Sequence, residues 1–466
     1  MSIPKFAGIS ESKDVLENIS SRLSASEFTI VENPSYIYRP CDIYPMPPKI
    51  LTPRTRLVAI LKDMDGTTAT TEELCVHSLE FTVGKICGKE LDKGWKGIER
   101  KEDLPHIIGN SSTKHVEYMI RKYEGGIDIE AFRHAYFHAV LWTLVEGRDP
   151  GRREEVLANL QTLGIGGMLK EDSVRSFLVR TSIDKKEGEL LVCALLRLYP
   201  RMPRLETFED RVRAAIDIYY QRYHEILALI AKGKGDSLSA KILGTPSAHL
   251  IEPMPGVAIF IAALKGWLGE HLGRFGEELR DLLRLRPKCD ATPVEIGKGM
   301  ERLFGLGRWL ERNPLRIAIV TSSIEYEARI VLKEVFKILY RQAASWDIHQ
   351  EKKEFILSRF SDFAKTYDGF ITGSDSSEIR LKPHPDLYSI ALHRIGVARE
   401  DMDAVIGFED SESGVRAIRA AGIGLCAAVP FPFTQGHDLT AAAYVLHGGL
   451  PEALLKYSLF LEHGLL

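Results

Sequence analysis

The spacing of hydrophobic and polar residues changes several times along the chain. Short apolar runs with β-branched members, typical of strands buried on both faces, occur at 57–61, 315–320, 369–372, 404–408 and 424–429. Apolar residues recur at helical spacing in the segments 72–86, 128–145, 187–198, 207–231, 386–395 and 413–421. Strands that alternate with helices predict a parallel sheet with helical crossovers, so the pattern indicates an α/β fold.

The first fifty residues have a different pattern. They contain a short amphipathic segment at 12–23 and a strand-like run at 28–31, followed by prolines interleaved with tyrosines. Proline at this density favours an extended chain over a packed unit. We therefore expect residues 1–50 to form an N-terminal extension or arm.

Composition and charge exclude several classes of function. The net charge of −3 comes from interspersed acids and bases, so the sequence predicts neither a nucleic-acid partner nor a membrane surface. The longest apolar run, at 257–264, is far too short to span a bilayer. The six cysteines include no CxxC pair and the N-terminus has no signal pattern, which predicts reduced thiols and a cytoplasmic protein.

An acidic pair follows the first buried strand. Asp63 and Asp65 stand two residues apart, directly after the run at 57–61, and Gly66 follows them. Side chains two apart in an extended chain point to the same side, so both carboxylates would project together from the strand end. Burying two acids costs free energy, and metal or phosphate chemistry would explain their presence.

Three later strands also end in residues suited to phosphate chemistry. Thr321, Ser322 and Ser323 follow the run at 315–320 and offer hydroxyl and backbone N–H donors, with Ser322 a candidate for binding phosphate. Lys382 precedes a helix that opens with prolines, and Glu409 and Asp410 follow the run at 404–408. Because the carboxyl ends of parallel strands converge on one edge, these groups should meet the acidic pair there.

Together these segments resemble the haloacid dehalogenase superfamily of phosphohydrolases. The resemblance covers about residues 55–125 and 250–435, and it is carried by the motifs Asp63-Met64-Asp65-Gly66-Thr67, Thr321, Lys382 in LKPHPD, and Glu409-Asp410 in GFEDSESGVRAIRAAG. The lysine and last acidic motifs look like those of the β-phosphoglucomutase and small-molecule phosphatase subgroup. The resemblance implies a Rossmann-like parallel sheet core with an inserted α-helical cap.

The catalytic roles come from this resemblance. Asp63 would be the nucleophile that forms an aspartyl-phosphate, and Asp65 would protonate the leaving oxygen and later deprotonate water. Thr321 and Lys382 would hold phosphate oxygens and offset charge in the transition state. Dehalogenases lack the second acid, so Asp65 favours phosphate chemistry.

The resemblance also implies a Mg²⁺ cofactor, which prefers oxygen ligands in an octahedral arrangement. The family draws these ligands from positions that correspond here to Asp63, the backbone carbonyl of Asp65, Glu409 and Asp410. Gly66 would let the chain turn away without a side chain that blocks the phosphate. Lys62 departs from the family pattern, which usually has an apolar residue there. A lysine beside the nucleophile could shift the charge balance of Asp63, but we expect its stem to carry the charge outward.

The stretch between the first two motifs far exceeds what a crossover needs, which predicts an enlarged cap. We expect 1–50 as the N-terminal extension, 51–71 and 301–466 as the core, 72–254 as the cap, and 255–300 as a core helix with an insertion. The candidates for recognition of the substrate leaving group lie in one cap loop. They are Gly109, Asn110, Ser111 and Lys114. A turn followed by a helix N-cap explains the same residues equally well.

The sequence therefore predicts a Mg²⁺-dependent phosphatase of a small phosphorylated metabolite, such as a sugar phosphate. Two alternatives stay open: a sugar phosphomutase, in which the phosphoryl group returns to the sugar, and a non-catalytic binding or scaffold protein. The extra helices could also build an oligomer interface, so a homo-oligomer is left open.

Overall fold

A computed structural model describes residues 21, 25–33, 40–89, 97–107, 112–242, 249–286, 288–375, 380–434 and 436–466. The strands of this described part are β1 (Glu27–Glu32), β2 (Cys41–Met46), β3 (Ala59–Asp63), β4 (Ala69–Thr70), β5 (Glu252–Pro253), β6 (Arg316–Val320), β7 (Gly369–Ile371), β8 (Val405–Glu409), β9 (Leu425–Ala428) and β10 (Tyr444–Val445).

The central sheet has six strands in the order β10-β9-β8-β3-β6-β7, and every neighbouring pair is parallel. β3 lies in the middle, with Asp63 opposite Val320 of β6 and Lys62 opposite Phe408 of β8. The carboxyl ends of these three strands are therefore side by side. The parallel α/β sheet is as predicted from the sequence.

Helices account for most of the remaining chain. Those of the first half are α1 (Glu72–Ile86), α2 (Arg100–Ile107), α3 (Ser112–Lys122), α4 (Ile129–Val145), α5 (Pro150–Thr162), α6 (Asp172–Leu178), α7 (Lys185–Leu198), α8 (Phe208–Ala231) and α9 (Gly235–Ile242). Those of the second half are α10 (Val257–Leu264), α11 (Gly276–Arg284), α12 (Pro293–Arg312), α13 (Glu325–Ala344), α14 (Gln350–Phe360), α15 (Asp386–Arg394), α16 (Glu412–Ala420) and α17 (Leu450–Leu455). No described helix combines the length and the apolar composition that a membrane crossing requires.

Polar residues in the sequence set where several of these helices begin. The Asp128 side chain accepts hydrogen bonds from the first backbone N–H groups of α4, and the Thr207 hydroxyl does so for α8. Thr292 and Glu295 form a capping box at the start of α12, with proline in its first turn. These contacts satisfy backbone donors that a helix cannot satisfy itself.

The helices α1 to α9 lie between β4 and β5 in the chain. The chain enters and leaves this insertion through β4 and β5, which pair antiparallel with Ala69 opposite Pro253 and Thr70 opposite Glu252. The long helix α8 packs against α1, α3 and α4, and it also contacts α13 of the sheet domain. The inserted helices therefore contact the sheet domain at α13, the helix that follows Thr321.

The N-terminal segment differs from the predicted extended arm. The strand-like run at 28–31 lies within β1, as predicted, but β2 pairs with it antiparallel from Glu27–Met46 to Glu32–Cys41. The hairpin packs against α16. Thus the described part of this segment is a packed hairpin, because Cys41–Met46 finds a partner strand despite its proline at position 45. Most of the helical segment predicted at 12–23 lies outside the described residues.

Lys62 also differs from expectation. Its side chain is fully buried, and within the described part of the chain its ammonium nitrogen has no hydrogen-bond partner. The nitrogen lies 5.7 Å from the centroid of the Phe260 ring. Since β3 is covered on both faces, a stem of four methylenes cannot reach water from this position. The prediction that Lys62 points outward is wrong.

Candidate active site

The carboxyl end of β3 presents the first acid of the site. Asp63 is only 6% exposed, and the chain turns immediately after it. The turn is closed by hydrogen bonds from Gly66 N to Ala69 O at 2.8 Å and from Thr68 N to Met64 O at 2.9 Å. Gly66 has a φ of 78°, a left-handed conformation that residues with a Cβ adopt only with strain.

Lys382 reaches this acid from the loop before α15. Its ammonium nitrogen donates to Asp63 Oδ1 at 2.5 Å, to Glu409 Oε1 at 2.7 Å and to the Val320 carbonyl at 3.2 Å. These acceptors belong to the carboxyl ends of β3, β8 and β6. The lysine thus joins the three central strands at one point, where the sequence predicted that they converge.

Both carboxylate oxygens of Glu409 accept hydrogen bonds. Its Oε1 accepts from Lys382 and from the Tyr388 hydroxyl at 2.9 Å. Its Oε2 accepts from Asp410 N, Ser411 N and Ser411 Oγ at 3.1–3.3 Å. The fully buried Glu409 carboxylate therefore has five hydrogen-bond donors, which fix its position.

The clustered acids raise one another's pKa. Burial raises the pKa of Asp63 well above its usual range, Glu409 raises it further, and Lys382 opposes both. Burial and the Glu409 and Asp63 charges likewise raise the pKa of Asp410. Burial alone would lower the pKa of Lys382, but the two adjacent carboxylates raise it above its ordinary value. The site therefore holds more negative than positive charge, and an additional cation would be stabilised there.

Asp65 occupies a different environment. Its Oδ1 accepts from the Thr71 hydroxyl at 2.6 Å, and its Oδ2 accepts from the hydroxyls of Thr321 and Ser323, both at 3.1 Å. Thr321, predicted to hold phosphate, is thus also a neighbour of Asp65. Of the two serines in the motif, Ser323 makes this contact, whereas Ser322, the candidate for binding phosphate, lies half-buried in the loop between β6 and α13. Neutral hydroxyls therefore hold Asp65, whereas Lys382 holds Asp63.

The oxygen donors suit a hard divalent cation. Among the described residues, Asp63, Glu409 and Asp410 each offer a carboxylate oxygen within 4.8 Å of the others. The backbone makes room for them, since a Cβ on Gly66 would lie 2.5 Å from Asp410 Oδ2 and one on Gly414 would lie 1.8 Å from Glu409 Oε1. An all-oxygen set with excess negative charge fits Mg²⁺. The Asp65 carboxylate is not part of this group, and the family pattern assigns only its backbone carbonyl to the metal.

Two residues near the site escaped the sequence analysis. Tyr388 lies in the first turn of the helix that follows the lysine motif, where an aromatic residue gives no sequence signal of a contact with Glu409. Glu72 opens α1 at the end of the β4 connection and is 8% exposed. Burial raises the pKa of Glu72 to about 8, and the Asp65 charge adds to this effect. An acid that follows four threonines and an alanine could have been suspected from its position, but only the fold shows its burial.

Of the four residues predicted to recognise the substrate, one lies within the described part of the chain. Lys114 lies on the exposed face of α3. Gly109, Asn110 and Ser111 lie outside the described residues. The geometry thus brings together Asp63, Asp65, Gly66, Thr321, Lys382, Glu409 and Asp410, and it leaves the cap-loop prediction as a prediction.

Comparisons with known proteins give one curated relative. No family model matches the chain. A phosphorylated carbohydrates phosphatase from Thermotoga maritima is 22% identical over 228 residues, which are 49% of this chain and 85% of the relative. This alignment links the chain to an enzyme that acts on phosphate esters.

Solved structures with similar folds include CbbY from Rhodobacter sphaeroides in complex with phosphate, at 16% identity. That alignment covers 85% of this chain and 96% of CbbY, with a TM-score of 0.37. β-Phosphoglucomutase from Clostridium difficile is 12% identical, over 84% of this chain and 90% of that one, with a TM-score of 0.33. At such scores these likenesses carry no argument about function, which depends on the site itself.

Proposed function

We propose that this chain, a phosphoric monoester hydrolase of the haloacid dehalogenase type, releases phosphate from a small phosphorylated sugar through an aspartyl-phosphate. The observation that carries the proposal is the Lys382 ammonium between Asp63 and Glu409 at the carboxyl edge of the sheet. A buried nucleophilic carboxylate needs a fixed cation beside it to remain ionised, and this pairing supplies one.

In the first step Asp63 attacks the phosphorus atom of the substrate. Lys382 already binds Oδ1, so Oδ2 is the oxygen that forms the new P–O bond. The bond from phosphorus to the sugar oxygen breaks, and its electron pair goes to that oxygen. Asp65 donates a proton to the leaving oxygen, which then departs as an alcohol.

In the second step water attacks the phosphorus of the aspartyl-phosphate. Asp65, now ionised, takes a proton from this water, and the bond between phosphorus and Asp63 breaks to release inorganic phosphate. Thr71, Thr321 and Ser323 keep the Asp65 carboxylate aimed at the site in both steps. Hydroxyls can donate to the ionised form of Asp65 and rotate when it is protonated, so the same contacts serve both states.

We assign the metal to the carboxylates of Asp63 and Asp410 and to the backbone carbonyl of Asp65, with Glu409 beside them. When bound, Mg²⁺ supplies positive charge that offsets the charge of the phosphoryl group. Glu409 has five hydrogen-bond donors of its own, so its larger contribution is to fix Lys382. Thr67 donates to Asp410 Oδ1 at 3.1 Å and holds that ligand in turn.

A sugar phosphate is the substrate class we propose. The support is the curated relative, which acts on phosphorylated carbohydrates and aligns with 49% of the chain. We further propose that residues 72–254 form a cap that closes over the site through the β4–β5 connection. Closure would exclude water during the first step, and the cap would select the sugar.

The proposal is tested with purified protein, Mg²⁺ and a panel of sugar phosphates, with inorganic phosphate measured as product. Asp63→Asn should abolish phosphate release, while Asp347→Asn, at a fully exposed position, should leave it unchanged. Unchanged release from Asp63→Asn would overturn the mechanism. Product analysis separates the alternative, because a phosphomutase moves the phosphoryl group along the sugar without releasing phosphate.

A further inference from the structure

The N-terminal hairpin contacts two segments that adjoin the proposed site. One is the loop at residues 380–386, which bears Lys382 itself. The other is α16, which begins two residues after Asp410. The hairpin lies outside the part of the sequence that resembles phosphohydrolases. Its contacts are therefore not implied by that resemblance.

Tyr44 of β2 makes the closest contact with the lysine loop. Its hydroxyl lies 2.9 Å from His384 Nδ1, and the two rings meet edge to face with centroids 5.8 Å apart. His384 is 7% exposed and stands two residues after Lys382. The hydrogen bond therefore fixes a buried side chain next to the proposed phosphate-binding lysine.

A network of hydrogen bonds among charged and polar side chains also connects the hairpin to the loop. Asp42 Oδ2 accepts from Arg380 Nη1 at 3.0 Å and from Asn33 Nδ2, also at 3.0 Å. Arg380 in turn donates to both carboxylate oxygens of Asp386 at 3.1–3.2 Å. Its guanidinium lies 5.8 Å from the centroid of the Tyr44 ring. The hairpin thus binds the first residue of the loop, Arg380, and His384 inside it, and it is connected to Asp386 through Arg380.

The other side of the hairpin is anchored on α16. Arg419 is fully buried, and its Nη2 donates to Glu27 Oε2 at 2.8 Å and to the Pro47 carbonyl. Its Nη1 donates to the Ala441 carbonyl at 3.1 Å. Because the buried Arg419 binds Glu27 at the start of β1 and Pro47 just after β2, the hairpin cannot move relative to α16 without breaking hydrogen bonds to this guanidinium.

We propose that Tyr44 and Asp42 are positioning residues, through which the N-terminal hairpin holds the 380–386 loop and so fixes Lys382 between Asp63 and Glu409. This inference rests on the proposed function for the role of Lys382. The hairpin bridges the lysine loop to the helix that follows the acidic pair. A small displacement of an ammonium aimed at a developing negative charge lowers transition-state stabilisation steeply.

The test compares Tyr44→Phe and Asp42→Asn with the wild-type protein. Tyr44→Phe removes one hydroxyl and keeps the ring, and Asp42→Asn keeps an acceptor but removes its charge. Hydrolysis of p-nitrophenyl phosphate with Mg²⁺ gives kcat and KM, and calorimetry gives the affinity for orthovanadate, a transition-state analogue. We expect kcat and vanadate affinity to fall about tenfold with KM changed less than about twofold.

Two controls separate positioning from general damage. Ile43→Thr alters the neighbouring, exposed residue of β2, and Tyr340→Phe removes a hydroxyl from an exposed position of α13. Both should leave kcat and vanadate affinity at wild-type values, and all variants should melt at similar temperatures. In a double-mutant cycle, Tyr44→Phe should have little further effect once His384→Phe has removed its partner.

Wild-type kcat and vanadate affinity in Tyr44→Phe would overturn the proposal, as would an equal loss in Ile43→Thr. If the wild-type protein hydrolyses no phosphate ester, the proposed function fails. The positioning role is then tested by vanadate affinity alone, which should still be lower in Tyr44→Phe than in the wild-type protein. A wild-type protein that binds no orthovanadate overturns both.

Discussion

Lys382 and Asp63 form the shortest contact between charged side chains at the carboxyl edge of the sheet, 2.5 Å from Nζ to Oδ1. The same nitrogen lies 2.7 Å from Glu409, and all three side chains are less than 10% exposed. Each carboxylate would be strongly destabilised in this position without the lysine. The contact is therefore both a structural element and the electrostatic centre of the proposed site.

Lys382→Met is expected to reduce both activity and stability. It leaves Asp63 and Glu409 buried without their cation, which typically costs about 3–5 kcal/mol of unfolding free energy. The rate of phosphate release should fall at least about a hundredfold, because charge stabilisation in the transition state is lost. Urea unfolding and steady-state kinetics measure both effects. Lys337→Met, on the exposed face of α13, is the control, and equal effects from both variants would contradict the assignment.

Gly66→Ala tests the close approach between the turn and the acid pair. The new Cβ would lie 2.5 Å from Asp410 Oδ2 and 2.7 Å from a carbon of the Phe431 ring, and the φ of 78° adds strain. We expect a loss of about 1–2 kcal/mol from the backbone conformation alone, together with more than about tenfold lower activity.

Gly297→Ala is the matched control for this variant. Position 297 lies inside α12, and a Cβ there would have no heavy atom within 4 Å. Alanine is favoured over glycine in a helix, so this variant should be equally stable or slightly more stable. Normal activity in Gly66→Ala would show that hydrolysis does not require the Asp410 carboxylate to lie in its present position beside Gly66.

Metal dependence follows from the excess of carboxylates. Chelation should abolish hydrolysis, and added Mg²⁺ should restore it. Asp410→Asn removes one charged ligand, so it should raise the Mg²⁺ concentration needed for half-maximal activity by at least about tenfold. Calorimetric titration with Mg²⁺ provides a readout that does not depend on turnover. Full activity in the presence of a chelator would exclude the proposed metal.

Much of the fold and the site could be predicted from the sequence. The strands β3, β6, β7, β8 and β9 contain or adjoin continuous apolar runs, because parallel strands covered on both faces leave few positions for polar residues, Lys62 being one. The carboxyl ends of parallel strands lie at one edge of the sheet. The sequence therefore predicted that Asp63, Lys382 and Glu409, which follow such strands, would lie close together. β10, with only two residues, has no such pattern.

What the sequence could not provide was the environment of individual side chains. Nothing in the threonine run after Asp65 indicates that Thr71 binds Asp65, or that Glu72 is buried. The same holds for Tyr44, whose contact with His384 spans 340 residues of sequence. Long-range polar contacts have no periodic pattern, so they appear only when the elements are packed.

Lys62→Met should stabilise the protein. Burial lowers the pKa of Lys62 to about 7, because its ammonium loses water and has no hydrogen-bond partner within the described residues. Methionine has a similar shape and no polar atom to desolvate, so we expect a gain of about 1–3 kcal/mol in the free energy of unfolding. Urea unfolding measures it, with exposed Lys333→Met as the control. A less stable Lys62→Met protein would show that the charge has an unseen function.

The stability of the inserted helices should fall on acidification because of His77. Arg222 Nη2 donates to His77 Nε2 at 3.1 Å, and this contact requires the unprotonated ring nitrogen. Burial and the Arg222 charge lower the pKa of His77 from 6.5 to about 4. Between these values the unfolded chain binds more protons than the folded one, so unfolding becomes easier as the pH drops from about 6.5 to 4. The expected loss is about 2 kcal/mol after allowance for partial exposure.

Substitution of His77 isolates this contribution. The amide oxygen of glutamine can accept the Arg222 hydrogen bond, and glutamine does not titrate. His77→Gln should therefore unfold with a flatter pH dependence between 6.5 and 4, measured by thermal melts at a series of pH values. His393→Gln, at an exposed position of α15, should retain the wild-type slope. If His77→Gln and the wild-type protein lost stability in parallel on acidification, the dependence would have to come from another histidine with a lowered pKa, such as His138, because buried carboxylates with a raised pKa gain stability as the pH falls.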